Sequence, residues 1–132
     1  MKNLFILSFI LLLALSFISP VSANIINRYS YEIINTYPHD KGAFTQGLYY
    51  KDGLIYEGTG KYGDSDIRKY KIEDGKIISK HELSIRYFGE GITILDNKIY
   101  QSTWKAKTFF IYDEELNLLE KTSFPFECWG LT

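Results

Sequence analysis

Glu90 stands between Gly89 and Gly91, directly after Tyr87 and Phe88. A carboxylate beside aromatic walls has the makings of an acid–base group. Such walls desolvate it, raise its pKa and let it carry a proton near neutrality. The same layout occurs twice more. Ala43-Phe44-Thr45-Gln46-Gly47 sets an uncharged amide ahead of a glycine, and Glu127-Cys128-Trp129-Gly130 sets an indole there. In each, a hydrophobic residue (Leu48, Ile92 or Leu131) then opens a strand-like run. Alone, Glu90 reads as a surface-loop carboxylate, Gln46 as a loop hydrogen-bonding group, and the aromatics as core. Recurrence joins them: three loops of one design, carrying Gln46, Glu90 and Trp129, predict one site fed by successive repeats.

Other chemistries find little support. His39 and His81 are isolated and form no ligand spacing with Cys128, so no metal or cofactor is indicated. Asp64 and Asp66 read as a solvated loop rather than a calcium site. Cys128 has no visible base to activate it. No Ser-His-Asp pattern and no phosphate-binding glycine loop occurs. The formal net charge of −1 leaves no basic footprint for nucleic acid.

The elements that must position these residues are β-strands. Aromatics make up 17% of the 132 residues, a bias that favours β structure. Met1–Ala23 reads apart from the fold. Lys2 is followed by an apolar run over Leu4–Ile18 and by the small-residue site Val21-Ser22-Ala23, as in a secretory signal peptide cut before Asn24. The run is short for a membrane-spanning anchor, which needs about 20 residues, so no stable membrane association is expected after cleavage. The remainder, 24–132, carries a net charge of about −2 without Lys2. Its lone cysteine excludes an internal disulfide framework.

From Tyr29 onward the chain reads as short strands punctuated by turns. A leading strand is expected over Tyr29–Thr36, followed by a loop at Tyr37–Gly42. Hairpins are expected about Lys51-Asp52-Gly53 and Asp96-Asn97-Lys98, and turns at Glu73-Asp74-Gly75 and Asp113–Leu116. No segment has a convincing helical period. The halves align: Gly47-Leu48 with Gly91-Ile92, Ile55-Tyr56 with Ile99-Tyr100, Lys69-Tyr70 with Ile111-Tyr112, and Gly75-Lys76-Ile77 with Leu116-Asn117-Leu118. Repeats over 47–90 and 91–129, each of four short strands, match the period of a propeller blade. The expected fold is all-β, a partial β-propeller. Two blades leave open edges and apolar faces, so the chain is expected to be the N-terminal part of a longer protein.

Seven stretches in order now carry a family resemblance: Tyr37-Pro38-His39-Asp40, Ala43–Leu48, Tyr56–Gly60, Tyr62-Gly63, Tyr87–Gly91, Tyr100–Lys105 and Trp129–Thr132. Together they resemble the plant-type glutaminyl-peptide cyclotransferase family, also called glutamine cyclotransferases. The resemblance implies a five-bladed β-propeller, of which this chain covers about two four-stranded blades. It also implies a secreted or exported acyltransferase acting on peptides or proteins with N-terminal glutamine. The glutamine closes to pyroglutamate and ammonia is released.

By the same resemblance Glu90 matches the catalytic glutamate, a proton shuttle, and Gln46 holds the substrate amide or amine. Phe44, Phe88, Trp104 and Trp129 match the aromatic substrate pocket. Two departures stand out: Gly58 where the family often has serine, and Cys128 where glycine is usual. The family's further tryptophan, asparagine and lysine belong to later blades, so residues 1–132 alone are expected to be inactive. The competing reading is a propeller that binds a peptide or sugar in an aromatic funnel without turnover.

Overall fold

The computed structural model describes residues 27–132. The segment Met1–Ala23, expected from sequence to be a signal peptide, lies outside the described residues. Residues 27–33 have no regular secondary structure, and Ile34–Thr132 form one compact unit. That unit is all β. Strands β1 (Thr45–Lys51), β2 (Leu54–Thr59), β3 (Asp66–Lys71) and β4 (Ile77–Glu82) form one antiparallel sheet in sequential order. Strands β5 (Gly89–Leu95), β6 (Lys98–Thr103), β7 (Thr108–Tyr112) and β8 (Leu118–Ser123) form a second of the same design.

The turns show why the sequence folds this way. Asp52 and Gly53 both have positive φ, as do Asp96 and Asn97, so each first hairpin turns through two left-handed residues. That turn matches the natural twist of paired strands, and Asp, Asn and Gly tolerate it best. Later in each sheet, Gly75 (φ 65°) and Leu116 (φ 66°) take the same left-handed position. The aligned pair predicted from sequence is thus matched in conformation. Leucine carries a steric cost there that glycine avoids, but its side chain is buried in the core.

That core joins the two sheets. Tyr56 and Ile67 from the first sheet pack with Tyr87, Ile92, Ile99, Phe110, Tyr112 and Leu116. The sheets approach most closely at their first strands, β1 and β5, where glycines remove the side chains that would hold them apart. A methyl on Gly47 would stand 2.6 Å from the Ile92 amide nitrogen, and one on Gly91 would stand 2.6 Å from the Trp129 carbonyl oxygen. Gly130 and Leu131 therefore lie against Gly91 as Gly91 and Ile92 lie against Gly47.

Two expectations are corrected. Tyr29–Thr36 forms no strand. Its β-formers have no partner ladder among the described residues, and propensity without pairing does not make a strand. Gln46 and Glu90 do not lie in loops: Thr45–Gly47 and Gly89–Gly91 open β1 and β5, which begin earlier than the hydrophobic runs suggest, while Ala43, Phe44, Tyr87 and Phe88 precede the strands as expected.

Candidate functional site

Gln46 and Glu90 each occupy a break in strand pairing. Thr45 pairs with Thr59 and Gly47 with Gly58, which leaves Gln46 without a partner. Gly89 pairs with Thr103 and Ile92 with Gln101, and the register shifts across Glu90 and Gly91. A β-bulge of this kind bends a strand and re-aims a side chain, and bulges are common beside active sites. Because Gly47 abuts Gly91 and Ile92, the two bulges are neighbours across β1 and β5.

Glu90 is buried, at 4% exposure. Its carboxyl makes no hydrogen bond to protein among the described residues. Burial alone pushes its pKa above the usual carboxylate value. Gln46 is half-buried. Three of the four predicted aromatics gather in one place. The Phe88 ring meets Phe44 edge-on at 6.2 Å and Trp104 at 5.8 Å between centroids. Such edge-to-face pairs are favourable beyond the area they bury.

Phe88 also meets Tyr62 at 5.5 Å, a contact that sequence reasoning missed. Tyr62 lay in a stretch that carried the resemblance, but it falls in the glycine-rich loop after β2 and has no counterpart in the repeat. Gly60 makes room for the cluster. A methyl there would stand 2.4 Å from Phe88 Cε1 and 3.0 Å from Gln46 Cγ. Gly60 thus links the aromatic cluster to Gln46.

The repeat explains the placement of Trp104. The Gly60 amide donates to the Phe44 carbonyl at 2.8 Å, and the Trp104 amide donates to the Phe88 carbonyl at 3.1 Å. Trp104 is therefore the second sheet's counterpart of Gly60. The first sheet uses a glycine there to seat Phe88, and the second uses an indole to cover it. The indole N–H donates to Glu127 Oε2 at 3.0 Å, which ties Trp104 to the Glu127-Cys128-Trp129 stretch.

Trp129 takes no part in the ring cluster among the described residues. Its side chain is 57% exposed, while its carbonyl accepts the Gly91 amide at 2.7 Å. The backbone of the third motif is in register with Glu90, and the indole faces solvent. Gly58 has a local explanation as well. A methyl there would stand 2.7 Å from Ile92 Cγ2 and 2.9 Å from the Glu90 carbonyl. Any side chain at Gly58 would press on the strand that carries Glu90.

A largely buried carboxyl, an amide at the adjoining bulge and a wall of aromatic rings can hold a small polar chain end and move a proton on it. The chain itself has relatives among known proteins. The family model described as glutamine cyclotransferase matches residues 6–132. The chain is similar to a glutaminyl-peptide cyclotransferase of Arabidopsis thaliana, with 41% identity over 100 residues, covering 71% of this chain and 30% of that protein. It is also similar to a crystal structure of a glutaminyl cyclase from Myxococcus xanthus. There the TM-score is 0.66 at 29% identity, over 75% of this chain and 42% of the other. The chain thus spans less than half the length of either relative. It belongs to the glutamine cyclotransferase family.

Proposed function

We propose that this chain supplies part of the active site of a glutaminyl-peptide cyclotransferase, an aminoacyltransferase-type enzyme. Its substrates are peptides or proteins that begin with glutamine. The two sheets serve as two blades of a five-bladed β-propeller, and the activity belongs to the protein that contains the whole ring. Residues 1–132 alone do not turn over. Export through a leader at Met1–Ala23 is part of the same reading.

The reaction needs one group to move protons in both directions. The substrate's α-amine attacks its own side-chain amide carbon. The new C–N bond gives a tetrahedral centre, which collapses with loss of ammonia to leave pyroglutamate. Glu90 takes the proton from the attacking amine and returns it to the departing nitrogen. A carboxylate with a raised pKa is a stronger base than an ordinary one, so it takes the amine proton more readily and stays protonated long enough near neutrality to hand it on. Gln46 hydrogen-bonds the substrate's amide or amine. Phe44, Phe88 and Trp104 wall the chain end so that amine and amide carbon stay in reach of one another, and the solvent-facing Trp129 indole joins them only on turning inward.

The observation that carries this reading is the state of Glu90. It is a buried carboxyl with no hydrogen bond to protein among the described residues, in the bulge adjoining that of Gln46. Burying a carboxyl without a partner is costly, and a fold keeps such a group where a ligand uses it.

The test is incubation of the protein from its whole reading frame with a Gln-initiated peptide and with its N-acetylated form. Release of one ammonia per free peptide, with none from the blocked peptide, supports cyclisation. Tight binding of the free peptide with no ammonia released would leave the binding propeller as the better reading.

A further inference from the structure

Glu57 in β2 is fully buried, at 0% exposure, and the reading above gives it no role. Its Oε1 accepts from the Thr45 hydroxyl and from His39 Nε2, the latter at 3.1 Å. Its Oε2 has no partner among the described residues. Glu57 lines a small cavity of about 10 Å³ with His39, Asp40, Arg68 and Tyr70. Burial and the nearby Glu57 charge push the Tyr70 hydroxyl up to about 12.

The second sheet shows that a blade of this design does not need a charge at this place. Leu48 pairs with Glu57 as Ile92 pairs with Gln101, so Gln101 is the counterpart. It too is fully buried, and it is satisfied as a neutral amide. The Tyr112 hydroxyl donates to its Oε1 at 3.1 Å, and its Nε2 donates to the Asp66 carbonyl at 3.0 Å. A buried carboxylate where an amide serves next door calls for a specific reason.

The reason lies in the segment that leads into the site. Residues 38–44 cross the first sheet and run directly into Thr45 and Gln46. They are pinned on the way. Asp40 pairs with Arg68 at 2.8 Å, and the Pro38 carbonyl lies 3.0 Å from where a methyl on Gly75 would stand. His39 and Thr45 meet on one oxygen of Glu57, so that oxygen fixes both ends of the segment. Thr45 is the last paired residue before the Gln46 bulge, and Phe44 immediately precedes it.

We propose that Glu57 is a positioning residue for the candidate site. Its carboxylate holds Thr45, and through Thr45 it holds the bulge that aims Gln46. His39 closes the leading segment onto the same anchor. The inference rests on the reading of Gln46 as a substrate contact. Its structural half stands apart from turnover, because the anchor orders the Gln46 bulge whether or not substrate is present.

The test compares Thr45→Val, Glu57→Met and Glu57→Gln in the protein from its whole reading frame. Amide hydrogen exchange at residues 45–47 is read beside kcat and KM on a Gln-initiated peptide. Thr45→Val and Glu57→Met should speed exchange at 45–47 roughly ten-fold, with no change in β6 and β7. They should raise KM about ten-fold, the weight of one strong hydrogen bond, with kcat held within about two-fold. Glu57→Gln keeps an acceptor at Oε1 and should retain most of the wild-type exchange and KM. Should Glu57→Met fail to fold, Thr45→Val decides.

Wild-type exchange at 45–47 in Thr45→Val would overturn the proposal, as would a loss carried wholly by kcat. A wild-type protein that releases no ammonia counts against the reading of the site, and exchange then still decides whether Glu57 anchors the bulge.

Discussion

Gln46 and Glu90 occupy adjoining pairing breaks in the first strands of two successive sheets, and the glycine after each forms the contact between those strands. Site and inter-sheet packing are therefore one construction. A methyl on Gly47 would meet backbone at Ile92 and Gly91, which cannot rotate away. Gly47→Ala should destabilise the protein by about 1–3 kcal/mol, the usual cost of overpacking. It should also lower turnover by moving both bulges. Thermal unfolding and steady-state rates on one preparation check this. A Gly47→Ala protein with wild-type Tm would mean that the strands are not packed as closely as described.

Gly60→Ala should act on the aromatic wall. The added methyl would stand 2.4 Å from Phe88 Cε1 and 2.7 Å from its Cζ. Phe88 is hemmed in by Phe44, Tyr62 and Trp104, so its ring cannot yield without disturbing them. Affinity for the Gln-initiated peptide should fall about ten-fold, with a stability loss of about 1–3 kcal/mol. Calorimetric titration on the Glu90→Gln background reads the affinity without turnover.

Much of this was legible in the sequence, because the repeat carries it. The glycines after Gln46 and Glu90 could be aligned, and the turns at Gly75 and Leu116 followed from the same alignment. Where the signal depended on partners distant in sequence, it failed. Tyr29–Thr36 has the composition of a strand and lacks the ladder that makes one. Glu57 and His39 lie in stretches that carry the resemblance, yet nothing local shows that they meet. Tyr62 reaches Phe88 from the loop after β2, and the matching loop after β6, residues 104–107, carries no tyrosine to announce it. The bulges read as loops because glycine marks both, and only pairing register separates them.

Trp104 is held by Glu127, and that hydrogen bond can be followed directly. In Glu127→Ala the Trp104 indole N–H loses its acceptor at 3.0 Å. Its nitrogen–proton NMR resonance should shift and exchange faster with solvent. KM should rise about three- to ten-fold as the indole loses its orientation. Glu127→Gln, which keeps an acceptor, should restore both. An unmoved Trp104 resonance in Glu127→Ala would remove Glu127 from the account of the wall.

The raised pKa of Glu90 gives a stability prediction with a definite sign. Burial holds the folded-state pKa above the unfolded value, so between the two values the folded chain binds more protons. This contribution to stability is fully present below the unfolded pKa and is lost as pH rises through the folded one. Glu90→Gln cannot ionise and should escape the decline. Its Tm should match wild type in acid and exceed it near neutrality. Equal Tm values at both ends would indicate a carboxyl in an ordinary, wetted setting.

The central claim is that Glu90 moves the proton, and the most direct measurement is the kcat for ammonia release from a Gln-initiated peptide, wild type against Glu90→Gln, in the protein from its whole reading frame. A glutamine keeps the shape and loses the transferable proton. The expected result is a fall in kcat of about 10²- to 10⁴-fold, the usual weight of a general acid–base group, with peptide affinity within about three-fold of wild type. A Glu90→Gln protein that releases ammonia at the wild-type rate would contradict the claim.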